Sequence, residues 1–155
     1  MSNKLEILLR KAGRELADYQ VCRFFKVPEE MIETPCDFFG YTVRGRAILI
    51  EAKMVDRTAL PISNTSNGLS LNQWNELADA HRAGAIALIC WARRGVCATI
   101  SFDLAAKLRE DRRSIPWDAI HNRYLRPMSG SSCHLALLDH WLPITGLPTS
   151  PPPGL

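Results

Sequence analysis

The stretch TPCDFFGYTVRGRAILIEAKM, residues 34–54, decides the fold of this chain. Aromatic and β-branched residues on either side of an arginine–glycine pair predict two β-strands, roughly 37–43 and 46–53, joined by a tight turn. The second strand begins with four apolar residues, 47–50, a run typical of a strand buried on both faces. We therefore expect a hairpin that lies inside a sheet.

Charged residues interrupt this apolar pattern at the end of the second strand. Glu51 and Lys53 follow the apolar run with only Ala52 between them, and Asp37 lies near the start of the partner strand. Because side chains alternate along a strand, Glu51 and Lys53 share one face. One interpretation is a strand end that emerges into solvent with an exposed ion pair. The other is a site built from these charges.

The length of the hairpin loop decides whether Asp37 can meet Glu51. A two-residue turn would shift the pairing by one residue and turn the aspartate to the wrong face. A three-residue loop, 43–45, pairs Thr42 with Arg46 and places Asp37 directly opposite Glu51. Loops of this class end in a left-handed residue, normally glycine, and the third loop residue is a glycine. The sequence thus allows the two carboxylates to be cross-strand neighbours.

Two carboxylates at that distance repel each other unless a positive charge lies between them. Their hard oxygen ligands favour Mg²⁺ or Mn²⁺ over zinc, and the carbonyl of Ala52 offers a further oxygen. Lys53 would stand beside the ion and hold a phosphate oxygen or orient a water. Such a group suits phosphodiester hydrolysis, in which a metal activates water and an ammonium stabilises the charge on phosphorus.

The composition is that of one ordinary globular domain. The chain has 155 residues, of which 46% are apolar and 23% charged, with a net charge of +3. We expect a single nuclease domain over residues 1–145 and a proline-rich tail at 146–155. No apolar run reaches the roughly 18–20 residues that cross a bilayer. The five cysteines, without a CxxC pair, indicate reduced thiols in a cytoplasmic protein.

Other segments complete an α/β pattern. Ser70 and Gln73 match a capping box at the start of a helix that should run to about Ala83 and stop at Gly84. The order α-β-β-β-α-β-β-α implies one mixed sheet flanked by helices. The aromatic pair Phe24-Phe25 is expected in the core rather than as a wedge between bases. The remaining elements are helices at 4–20 and 102–112, strands at 21–25, 85–91 and 96–100, a polar loop at 56–68 and shorter helices at 117–124 and 134–141.

The charged residues also resemble a known motif. Pro35-x-Asp37, thirteen residues, and then Glu51-Ala52-Lys53 resemble the PD-(D/E)xK nuclease motif, and the order of elements resembles the restriction-endonuclease-like core of that superfamily. A longer match is similar to the RecU family of Holliday junction resolvases. Its residues are Gly45-Arg46 through Glu51-Ala52-Lys53, Leu60-Pro61, Gln73, Gly84 and Arg113 to Trp117.

The resemblance implies roles for particular residues. Asp37 and Glu51 become the metal ligands and Lys53 the catalytic lysine. The family also uses a glutamate on the first helix, and Glu6 fits its spacing better than Glu15, although a place on the flank of an amphipathic helix is equally consistent with the sequence. Gln73 lies where the family has an active-site glutamine. Its place in the capping box is compatible with that role.

One feature departs from the RecU pattern. RecU proteins carry a long projecting stalk between the first strand and the motif aspartate, and here only residues 27–36 fill that gap. Because the stalk helps to engage the junction centre, its absence bears on junction specificity more than on cleavage chemistry. A compact resolvase of phage or archaeal type would also lack the stalk.

These observations predict a metal-dependent DNA endonuclease, a Holliday junction resolvase that acts on branched DNA as a homodimer. The alternatives are another nuclease of the superfamily that cuts flaps, ends or duplex, and an inactive DNA-binding module with the same fold. Six basic residues are predicted to contact the DNA backbone, although those on the helix also fit a solvated surface. They are Lys4, Arg10, Lys11 and Arg14 on the first helix, and Arg44 and Arg46 at the hairpin.

Overall fold

The structure is a computed structural model, and it describes residues 3–28, 36–64 and 67–144. The predicted tail at 146–155 lies outside the described residues, as does Pro35 of the motif. The helices are α1 (Lys4–Asp18), α2 (Leu71–Arg82), α3 (Phe102–Leu108) and α4 (Cys133–Ala136). The strands are β1 (Cys22–Lys26), β2 (Phe38–Thr42), β3 (Ala47–Met54), β4 (Ala59–Pro61), β5 (Ile86–Arg93), β6 (Val96–Ser101), β7 (Ser114–Pro116) and β8 (Leu125–Pro127).

Six of the strands form one mixed sheet in the order β1-β2-β3-β5-β6-β8. The central pair, β3 and β5, is parallel, and the other neighbours are antiparallel. The parallel pair requires a crossover, and α2 lies within it. The prediction of a mixed sheet flanked by helices is therefore confirmed.

Strand β3 is buried on both faces, as its apolar run predicts. Ile48 and Ile50 pack into a hydrophobic core that α1 and α4 cover. Leu49 points the other way, into a second core that includes Leu77 of α2 and Ala105 of α3. The end of β3 therefore lies where helices from both sides of the sheet approach it.

The hairpin loop has the predicted three-residue form. The Thr42 amide donates to the Arg46 carbonyl at 2.8 Å, and the Gly45 amide donates to the Thr42 carbonyl at 2.9 Å. Gly45 adopts φ = +82°, the left-handed conformation that the loop requires. Phe38 pairs with Ile50 at the end of this ladder, and the Asp37 amide also donates to the Ile50 carbonyl at 3.1 Å. The predicted loop and the register from Thr42 to Phe38 are confirmed, and the direct pairing of Asp37 with Glu51 stays a prediction.

Helix α2 begins and ends as predicted. The Ser70 hydroxyl accepts from the Gln73 amide at 3.0 Å, and the Gln73 side chain accepts from the Ser70 amide at 2.9 Å. The chain leaves the helix through Gly84, which has φ = +94°. The capping box therefore fixes the position of Gln73 at one end of the crossover.

Several predictions in the second half of the chain are wrong. Helix α3 ends at Leu108 rather than near residue 112, because the backbone of Arg109 is already extended, and Asp111 and Arg112 then adopt positive φ values of 47° and 57°. The segment 117–124 forms two 3-10 turns, and the last helix is only four residues long. The turn between β5 and β6 contains two residues rather than four, since Arg93 already pairs with Val96.

The structure also contains short strands that the sequence pattern did not indicate. Strand β4 lies inside the predicted polar loop, and it pairs with β7, with Leu60 opposite Ile115.

The two aromatic residues of β1 differ in exposure, one lying in the core and the other at the surface. Phe24 is buried, whereas Phe25 is 57% exposed because β1 is the edge strand of the sheet. The prediction that both rings lie in the core is thus wrong for Phe25.

Gly40 holds β1 close to β2, and its replacement tests this contact. A Cβ at Gly40 would lie 1.8 Å from the Arg23 carbonyl oxygen, whereas a Cβ at Gly45 would meet nothing within 4 Å. We expect Gly40→Ala to lower the free energy of unfolding by about 3 kcal/mol. Gly45→Ala carries only the left-handed backbone strain, about 1 kcal/mol. Urea unfolding of both variants measures the difference, and equal losses would contradict this packing.

Candidate active site

The carboxylate of Glu51 lies at the carboxyl end of β3 and is 1% exposed. Its Oε1 accepts from Gln73 Nε2 at 2.8 Å and lies 3.0 Å from Lys53 Nζ. The capping box sets the position of Gln73 and strand alternation sets that of Lys53, so secondary structure fixes both partners. The alternative of a solvent-exposed Glu51–Lys53 pair is wrong, because Glu51 is buried.

Asp37 lies just before β2 and is held by groups on both sides. Its Oδ2 accepts from the Ala52 amide at 2.8 Å, and its Oδ1 accepts from Lys26 Nζ at 3.2 Å. The backbone of Ala52 therefore contacts the aspartate through its N–H. The predicted use of the Ala52 carbonyl as a metal ligand stays a prediction.

The two acids are close enough to change each other's protonation. Burial raises the pKa of Glu51 to about 8, and the neighbouring charge of Asp37 contributes to this rise. The ammonium of Lys53 acts in the opposite direction. Burial and the repulsion between the two acids therefore favour the neutral form of Glu51.

Glu6 joins this group from the other side of the sheet. It lies in the first turn of α1, where its amide donates to the Asn3 side chain at 2.9 Å. Its Oε1 lies 3.6 Å from Lys26 Nζ, and its Oε2 is buried without a hydrogen-bond partner. Glu15 lies elsewhere and pairs with His134. Of the two candidate glutamates, the structure brings only Glu6 to the site, and its catalytic role stays a prediction.

Lys26 is a member of this group that the sequence analysis missed. Its ammonium contacts both Glu6 and Asp37, and so links α1 to the start of β2. The sequence of β1 contained a signal for this role. Side chains alternate along the strand, so Lys26 lies on the same inward face as Cys22 and Phe24. A charged residue at an inward position near a strand end indicates a buried partner.

The acids of this group fit a divalent cation. Glu6 has a buried carboxylate oxygen without a hydrogen-bond partner, and Asp37 and Glu51 are close enough for their charges to interact. Hard carboxylate oxygens are the ligands that Mg²⁺ prefers. Within the described residues, no group of three or more His, Cys, Asp or Glu side chains is arranged to hold a metal. The Asp37–Glu51 pair is therefore the main candidate for binding a cation, because Lys26 lies between Asp37 and Glu6.

The predicted DNA contacts fall into two groups. Lys4, Arg10, Lys11 and Arg14 are exposed on α1, the helix that carries Glu6. Arg44 and Arg46 are exposed at the hairpin, and the Arg46 side chain donates to the Gly84 carbonyl at 2.8 Å. Five residues separate Arg46 from Glu51 along β3, a distance of about 17 Å. The helix cations thus share α1 with Glu6, whereas the hairpin arginines lie at the opposite end of β3 from Glu51.

Comparisons with known proteins identify the fold. No protein family model and no curated protein matches this sequence. The solved structure of Hjc, a Holliday junction resolvase from the archaeal hyperthermophile Archaeoglobus fulgidus, is similar to this one, with a TM-score of 0.50. The two sequences are 19% identical, and the match covers 72% of this chain and 87% of that chain.

The likeness defines the class of fold. The chain has a restriction-endonuclease-like α/β core, as the order of elements predicts. The particular resemblance to the RecU family stays a prediction. In the described parts of the chain, no helix is long and apolar enough to cross a membrane.

The raised pKa of Glu51 predicts how stability depends on pH in EDTA. Between its usual pKa of 4.5 and about 8, the folded state keeps a proton that the unfolded chain has released. The free energy of unfolding of wild type therefore falls as pH rises through this range. Glu51→Gln lacks this titration, and we expect it to be more stable than wild type by on the order of 3 kcal/mol near pH 9, with no difference near pH 4.

Urea unfolding at several pH values measures this difference. Glu110→Gln, at an exposed position, is the matched control. If both variants kept the same difference from wild type at every pH, Glu51 would not carry the raised pKa.

Proposed function

We propose that this protein is a metal-dependent DNA endonuclease of the PD-(D/E)xK superfamily and that it resolves Holliday junctions. The observation that carries the proposal is the convergence of Asp37 and Glu51 from neighbouring strands beside the ammonium of Lys53. Two acids and one amine at the end of a central strand suit phosphodiester hydrolysis.

The acids have the role of cation ligands in this proposal. Asp37 and Glu51 would hold Mg²⁺ or Mn²⁺, with Glu6 as a further carboxylate. When bound, such an ion supplies an activated water and stabilises negative charge on the phosphate. Lys26 balances the charge of Glu6 and Asp37, and it keeps both carboxylates directed toward the same region.

Lys53 and Gln73 act around Glu51. Lys53 is only partly exposed, and its ammonium lies 3.0 Å from the Glu51 carboxylate, so a phosphate oxygen next to Glu51 would be within its reach. Its charge stabilises the negative charge that develops as water attacks in line. Gln73 donates to Glu51 and so fixes the orientation of the carboxylate. Its side chain accepts from the helix cap at the same time, so its structural and active-site roles are compatible.

The proposed substrate is branched DNA, and the proposed active form is a homodimer. Resolution of a four-way junction needs two symmetric cuts, and a two-fold dimer presents two identical sites. The likeness to the fold of an archaeal junction resolvase supports this choice. The chain has only residues 27–37 between β1 and β2, too few for a projecting stalk, which favours a compact resolvase over one of full RecU form. Because this short connection lacks the stalk that engages a junction, a nuclease that cuts flaps, ends or duplex is the second candidate.

Replacement of one acid tests the catalytic proposal. Asp37→Asn keeps the size of the side chain but removes the charge of a cation ligand, and we expect DNA cleavage in Mg²⁺ to fall by about 100-fold or more. Asp103→Asn makes the same change at an exposed position on α3 and should leave cleavage unchanged. Circular dichroism checks that both variants fold. Cleavage by Asp37→Asn at the wild-type rate would rule out the proposed site.

The substrate is tested with a labelled immobile four-way junction and a linear duplex of the same arm sequence. We expect cuts on two opposing strands of the junction, at symmetric positions, with Mg²⁺ and none in EDTA. Comparable cleavage of the linear duplex would favour the second candidate. Absence of cleavage on every DNA, with the junction still bound, would favour the inactive binding module.

A further inference from the structure

Exposed aromatic side chains line one face of the edge strand β1 and of its neighbour β2. Phe25, Phe39 and Tyr41 are 57%, 39% and 49% exposed, and we name these three residues the aromatic edge. Phe25 lies opposite Phe39 in the register of β1 and β2, and Arg23 lies opposite Tyr41. Single exposed rings are ordinary, but neighbouring rings on adjacent strands indicate a surface that binds something.

The aromatic edge begins at the candidate active site. Phe39 lies two residues from Asp37, about 7 Å along the chain. Phe25 precedes Lys26, whose ammonium lies 3.2 Å from the Asp37 carboxylate. A ligand that follows the outer face of β2 would therefore reach the acids after passing these rings.

Positive charge lies beside Phe25. A pocket of about 240 Å³ adjoins this ring, and among the described residues its lining includes Arg10, Arg14 and Lys26 and no acid. Among the described residues, Arg10, Arg14 and Arg23 make no ion pair or hydrogen bond with another side chain. Flat apolar rings with unpaired guanidinium groups around them match the two parts of a nucleotide, the base and the phosphate.

We propose that the aromatic edge stacks unpaired bases of the DNA strand next to the phosphate that is cut. The inference rests on the proposed nuclease function and adds the substrate class, namely DNA with unpaired bases at a branch or fork. Bases in a continuous duplex are stacked on one another and cannot lie on these rings. Stacking tolerates any sequence because every base has a flat π-face.

A second copy of the chain is a less suitable occupant of this surface. A two-fold contact centred on the aromatic edge would bring Arg23 and the other arginines near the same residues of the partner copy. Within the part of the chain that the structure describes, the lining of the pocket offers no acid to neutralise them. Like charges that face each other oppose association, whereas DNA supplies the complementary charge.

Two double variants separate stacking from simple apolar contact. Phe25→Leu with Phe39→Leu keeps apolar side chains but removes the rings, and Phe25→Tyr with Phe39→Tyr keeps the rings. The DNA probes are a forked duplex and a linear duplex of equal length, the fork carrying 2-aminopurine at its first unpaired positions. Binding is measured by fluorescence in EDTA, so that no strand is cut. Sedimentation gives the mass of each variant, and cleavage is assayed separately in Mg²⁺.

We expect the leucine variant to bind the fork about 10-fold more weakly, and the duplex less than about twofold more weakly. The 2-aminopurine quenching seen with wild type should disappear with leucine and persist with tyrosine. Equal losses on fork and duplex, or no loss on either, would overturn the proposal. Conversion of a dimer to a monomer by the leucine variant would also overturn it and assign the surface to a second copy.

The outcomes separate this inference from the proposed function. If wild type cuts DNA but fork binding does not depend on the rings, only the stacking surface is wrong. If wild type cuts no DNA but fork binding depends on the rings, the stacking surface stands and the catalytic proposal fails.

Discussion

The three-residue loop at 43–45 holds β2 and β3 in one register, and the position of the acids depends on that register. A shift of one residue would turn Asp37 to the opposite face from Glu51, because side chains alternate along a strand. The left-handed glycine of the loop and the hydrogen bonds between Thr42 and Arg46 exclude this shift. A local turn preference therefore affects where the acids lie about 17 Å away, at the other end of the hairpin.

Burial of the acids at the end of β3 lowers the stability of the fold, but it also creates the candidate site. Glu51 is surrounded by protein, close to Asp37, and its pKa rises because the charged form is disfavoured. Lys53, Gln73 and Lys26 limit the cost by contacting the two carboxylates. A bound cation would favour the charged form of both carboxylates, and proteins commonly keep groups with shifted pKa values where they function.

The parts of the fold that were predicted correctly depend on local signals. The hairpin, the apolar run of β3 and the capping box of α2 each follow from a few neighbouring residues. The parts that were missed depend on tertiary position. Phe25 is exposed because β1 is an edge strand, and Lys26 bridges two acids only because α1 packs over β1. Strands β4 and β7 are three residues long and pair across more than 50 positions, so no periodicity marks them.

The most direct test of the account is the location of Mn²⁺ by anomalous scattering in crystals of the wild-type protein. We expect one anomalous peak at the carboxyl end of β3, within about 2.5 Å of carboxylate oxygens of both Asp37 and Glu51. Absence of a peak between these two side chains, with Lys26 and Lys53 still paired to them, would contradict it. The two acids would then form a structural ion-pair network rather than a metal site.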